Sequence, residues 1–87
     1  MTDTDAVQHY WMARVTDGGG ATVYNGFLLD AGPMQAFVQI AQRWPQWARW
    51  ATIDGKTARE WLLLLPAEQR QKAAAKWREA GIPVEPL

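Results

Sequence analysis

Few of the 87 residues could carry out chemistry. The chain has no cysteine and no serine, which leaves threonine and lysine as side-chain nucleophiles. His9 is the single histidine and shares a strand face with Trp11 in an alternating stretch, the setting of a structural imidazole rather than a catalytic base. One histidine with scattered carboxylates makes neither a zinc nor an iron site, and without cysteine there is no disulfide. Asp3 and Asp5 lie in a terminus expected to fray, so they are given no calcium role. Asp17, Asp30, Asp54 and Glu60 could supply a carboxylate pair, but Asp30 and Glu60 stand where helix starts need caps.

Two fragments imitate phosphate-binding loops. Gly55-Lys56-Thr57 matches the end of a P-loop, yet Trp50 occupies the place of its leading glycine. Gly18-Gly19-Gly20 falls in a hairpin turn rather than between a strand and a helix. Both read as turns. The chain is therefore expected to be non-enzymatic and to need no cofactor or metal.

Binding is the better-equipped option. Arg43-Trp44-Pro45-Gln46-Trp47-Ala48-Arg49-Trp50 packs three tryptophans and two arginines into one stretch. Such residues dominate interface hot spots, because they combine large contact areas with polar handles. Trp44 completes a helical stripe and is assigned to the core, which leaves Arg43, Trp47, Arg49 and Trp50 as candidate partner-binding residues. A protein partner or self-association is expected, in the manner of small inhibitors and antitoxins of mobile elements. The alternative is nucleic-acid binding through the eight basic residues between Arg43 and Arg78, with an exposed indole stacking on bases. Against it, those charges fall on separate elements and formal net charge is zero.

The elements that must position these residues follow from periodicity. Residues 6–15 alternate, with Val7, His9, Trp11, Ala13 and Val15 on one face. Thr16 to Gly20 makes a turn, and Ala21 to Leu29 resumes the strand pattern with Val23, Phe27 and Leu29 on one side. Tyr10, Met12, Tyr24 and Leu28 are assigned to the hairpin's second face, half covered or open to a partner. Gly26 marks a bulge or a close approach.

Pro33 opens a helix capped by Asp30 or Gly32, with Met34, Phe37, Val38, Ala41 and Trp44 at helical spacing. Pro45 ends it. Trp47 to Ile53 is expected as a third strand, parallel to the first or at an edge, against a competing short helical continuation. Thr57-Ala58-Arg59-Glu60 fits a capping box opening a short helix. Pro66 starts another that runs to Ala80, with Gly81 as its C-terminal cap and Ile82 folding back.

The expected fold class is a single small α+β domain of order ββαβαα, with flexible ends at 1–5 and 83–87. Four or five of its six tryptophans, buried, would anchor the core. Each can remove up to about 150–250 Å² from water, or about 4–6 kcal/mol at ~25 cal/mol per Å². The start of the chain is acidic where an export signal would be basic, and Leu62 to Leu65 is too short to span a bilayer. A cytoplasmic protein without membrane contact is the expectation.

Overall fold

Alternation around a glycine-rich turn produces an antiparallel hairpin of β1 (His9–Thr16) and β2 (Thr22–Asp30). The computed structural model describes residues 8–84. The expected strand positions Ala6 and Val7, and the expected flexible residues 1–5 and 85–87, lie outside the described residues. In the turn, Asp17 Oδ1 accepts from the amides of Gly19 and Ala21 at 2.8 and 3.1 Å. Gly18 and Gly20 adopt φ of 82° and 101°, which glycine reaches at no steric cost.

The hairpin contains one irregularity with wide consequences. Val15 pairs with Tyr24 but Thr16 pairs with Thr22, so Val23 is an extra residue on β2. One inserted residue reverses which side chains share a face. The sequence pattern joins Tyr10 and Met12 to Tyr24 and Leu28; the register overturns this. Trp11, Ala13 and Val15 stand opposite Leu28, Gly26 and Tyr24 on the inner face. Tyr10 and Met12 stand opposite Leu29 and Phe27 on the outer face. Gly26 marks no bulge. It admits the Tyr24 ring, whose Oη would lie 2.8 Å from a Cβ built there.

The helix α1 (Pro33–Arg43) begins at the N-cap Gly32 with Pro33 in its first turn, and ends before the Trp44-Pro45 step. It buries Ala36, Phe37, Ile40 and Ala41 against the inner face of the sheet. The stretch expected as a third strand turns first. Trp47 N donates to Trp44 O, Trp50 N to Trp47 O and Ala51 N to Ala48 O, at 3.0–3.1 Å. This single 3-10 turn, Ala48–Trp50, uses up the residues of the expected strand and leaves only β3 (Thr52–Ile53).

Sheet order is β2-β1-β3, and β3 pairs antiparallel to β1 rather than parallel to it. Because both neighbours of β1 run against it, β2 and β3 run parallel to each other with α1 crossing between them. The crossover partner of β3 is thus β2. The fold is a small α+β domain of order ββαβαα.

The capping box at the start of α2 (Ala58–Leu63) is complete: Glu60 N donates to Thr57 Oγ1 at 3.2 Å, and Thr57 N to Glu60 Oε1 at 2.8 Å. Beyond Pro66, α3 (Ala67–Glu79) closes with Gly81 at φ 97° and Ile82 N donating to Trp77 O at 2.9 Å. These two features form a Schellman cap that folds Ile82 into the core. Val84 is also buried, and its carbonyl accepts from Arg78 Nε at 3.0 Å.

Trp77 and Phe37 meet edge-to-face at 5.1 Å in the centre of the core, with Ile40, Ile53 and Leu62 buried around them. Each indole packed here has a polar handle that needs an acceptor. Trp77 Nε1 donates to Met34 O, Trp61 Nε1 to Ile53 O and Trp11 Nε1 to Asp30 O, all at 2.8–2.9 Å.

Candidate functional site

Among the described residues, no helix covers the outer face of the sheet, and its side chains are large. Tyr10 is 71% exposed and Phe27 58%, with Met12 and Leu29 also open to solvent. Tyr10–Leu29 and Met12–Phe27 are directly opposed pairs. Both are non-hydrogen-bonded pairs, because Met12 exchanges its backbone bonds with Asp54 on the other side. Side chains approach most closely across such pairs, and the Tyr10 and Phe27 rings meet edge-on at 6.3 Å. The result is one contiguous apolar surface.

Both edges beside this surface are blunted. Asp54, at φ 50°, donates its amide to Met12 O at 2.8 Å and accepts Met12 N on Oδ1 at 3.0 Å, closing the flank of β1. On the free edge of β2, Tyr24 Oη donates to Phe27 O at 3.0 Å, and Gln39 Nε2 to Leu29 O at 3.2 Å. Occupied backbone groups discourage strand addition. The face, rather than the edge, is the surface on offer.

Next to the apolar patch, a groove of about 560 Å³ lies among Met12, Arg14, Asn25, Thr52 and Trp50. Among the described residues, Arg14 is its only charged lining residue. Trp50, 41% exposed, forms one wall, and its indole rests on Gly18, where a Cβ would come within 2.5 Å of the ring. The Arg49 guanidinium lies 5.5 Å from the centre of that ring. No protein-family model, no curated protein and no solved structure matches the chain.

The four residues singled out in the sequence occupy different environments. Trp50 lies beside the outer sheet face, and Arg49, whose guanidinium touches its ring, lines the separate surface formed with Pro45, Arg78 and Pro83. Arg43 lies over the rings of Trp44 and Tyr24, at 4.5 and 5.6 Å, in a stack at the end of α1. Trp47 is half-buried against the core. Alternation alone puts Phe27 and Leu29 on the face away from Tyr10 and Met12, whereas the pairing puts all four on one face. The available signal was the extra residue of the hairpin, legible only in the pairing.

The carboxylates considered for chemistry hold the backbone in separate places. Asp17 closes the hairpin turn, Asp54 closes the strand flank, Glu60 completes the capping box, and Asp30 Oδ1 accepts from Ala31 N at 2.7 Å. His9 is exposed, edge-on to Trp11 at 6.0 Å. Gly55-Lys56 belongs to a tight turn in which Lys56 N donates to Ile53 O at 2.9 Å, and Thr57 is the helix cap. Among the described residues, no group of three or more His, Cys, Asp or Glu side chains could hold a metal ion. Among them too, no helix is long and apolar enough to cross a membrane.

Proposed function

We propose that the protein is a non-enzymatic interaction module that binds a partner protein through the outer face of its sheet. One observation carries the reading: Tyr10, Met12, Phe27 and Leu29 form an uncovered apolar face with Arg14 and Trp50 at its end. A folded chain gains nothing by leaving such side chains in water, and contiguous apolar patches mark interaction sites. Aromatic anchors beside an arginine are the composition of a hot spot. The mode of action is coverage of the partner's surface, as in small inhibitors and antitoxins, and Trp50 and Arg49 belong to the contact rim.

Capture of partners by the wild-type chain and by a Tyr10→Ala/Phe27→Ala variant tests this. The expected loss of affinity is about 2 kcal/mol or more, roughly thirtyfold, with a cooperative melt retained. An unchanged set of captured proteins at unchanged affinity refutes it.

A second reading has its own support: rings of Tyr10, Phe27 and Trp50 on a sheet beside Arg14 also suit stacking by single-stranded nucleic acid. It predicts a quench of tryptophan emission by oligonucleotides and an affinity that falls steeply with salt. Several cations are engaged within the fold, which favours the protein partner. Arg70 donates to Leu65 O and Leu63 O, Arg78 to Val84 O, and Lys56 sits over Trp61.

A further inference from the structure

A second apolar surface lies on the helical side, away from the outer sheet face. A groove runs between the first turn of α1, the end of α2 and one side of α3. The part against Pro33, Trp61 and Leu64 measures about 320 Å³, and the part along α3 about 340 Å³. Met34 and Leu65 line both parts, so the two adjoin.

Three features show a surface shaped for a rod. Leu64 is 63% exposed on a backbone that Arg70 anchors by donating to Leu63 O and Leu65 O at 3.3 and 3.0 Å. Along α3, Gln69, Lys72, Ala73 and Lys76 recur at helical spacing and line the groove for about 10 Å. Ala73 in the middle is small and buried, so the floor is low enough for a backbone to come close. The charged residues lining the groove are Lys72 and Lys76, and no carboxylate lines it among the described residues.

We propose that this groove binds an amphipathic helix of a partner protein, with leucine-like anchors on its apolar face and carboxylates flanking them. The anchors would fill the floor between Met34, Leu64 and Leu65, and the carboxylates would meet Lys72 and Lys76. Among the described residues, a second copy offers no such helix of two or more turns with a free apolar face, since α2, which exposes Leu63, has only six residues. Its α1 spends Phe37, Ile40 and Ala41 on its own core, and its α3 spends Ala73, Ala74 and Trp77. A bilayer surface is flat and leaves the floor at Ala73 unfilled. The inference is independent of the sheet-face reading.

The test titrates the full chain with two synthetic amphipathic helices. Both carry leucines at i, i+3, i+4 and i+7; one is flanked by glutamates, the other by lysines. Amide shifts and tryptophan emission report binding. The glutamate peptide is expected to bind at least about tenfold more tightly than the lysine peptide, and Lys72→Glu/Lys76→Glu to invert that order. Leu64→Glu should weaken both peptides about tenfold or more, and Tyr10→Ala/Phe27→Ala should change neither. All the substituted side chains are exposed, and a cooperative melt checks that each variant folds.

Absence of binding at about 1 mM peptide overturns the proposal. So does equal affinity for the two peptides, or a preference that survives reversal of both lysines. Tighter association with phosphatidylglycerol vesicles than with the glutamate peptide would assign the groove to a membrane surface instead. Dimerisation abolished by Leu64→Glu would assign it to a second copy. Loss of peptide binding in the Tyr10→Ala/Phe27→Ala variant would place the peptide on the sheet face and remove the groove as its site.

Discussion

Gly18 and Trp50 fix each other across the fold. The indole lies where a Cβ on Gly18 would stand, and Gly18 also needs its φ of 82°. Gly18→Ala therefore meets two penalties, backbone strain and a clash with a rigid ring. The expected cost is about 1–3 kcal/mol, with a shift in tryptophan emission as Trp50 is displaced, read by denaturant unfolding and fluorescence. Gly19→Ala is the control. Its Cβ would meet only Asp17 Oδ1 at 3.5 Å and its φ lies outside the left-handed region, so it should stay within about 0.5 kcal/mol of wild type. In the sequence, the glycine run announced a turn and Trp50 a possible contact. That one supports the other was not legible, because the residues meet only after α1 and the 3-10 turn bring Trp50 back to the hairpin.

At the scale of elements, boundaries with local causes were readable. The capping box of α2, the Pro33 start of α1 and the Gly81 stop of α3 each depend on a few neighbouring residues. Thr57→Ala should remove the cap and cost about 1 kcal/mol, lowering the denaturant midpoint with an unchanged slope. The strands were readable as strands, but not in how they combine. The register of β2 turns on the extra Val23, and β3 is short because consecutive i to i+3 bonds take Trp44 to Ala51 through turns. Those turns bury Ala48 and Ala51 and carry the Trp50 indole outward. Local alternation therefore puts Tyr10 and Met12 on a face open to a partner, but Phe27 and Leu29 join them there only through the register of β2.

For the molecule as a whole, tryptophans divide between holding the fold and meeting the outside. Trp77 is buried, packed on Phe37 and bonded to Met34 O. Trp77→Ala should cost about 3–5 kcal/mol, a large part of the stability of so small a domain, and calorimetry should find it largely unfolded near physiological temperature. Trp50→Ala removes a half-exposed ring and should cost about 1 kcal/mol, with its main effect on partner affinity. Composition and local spacing suffice for the absence of cysteine and serine side chains, the helix starts and stops, the hairpin and the α+β order. Those properties depend on composition or on residues within a turn or two of each other. Tertiary structure decided which face of the sheet stays bare, which indole reaches solvent, and where apolar side chains line a groove. Each depends on one inserted residue, one chain reversal or one distant contact, and pairing energies across the fold outweigh local periodicity at such places.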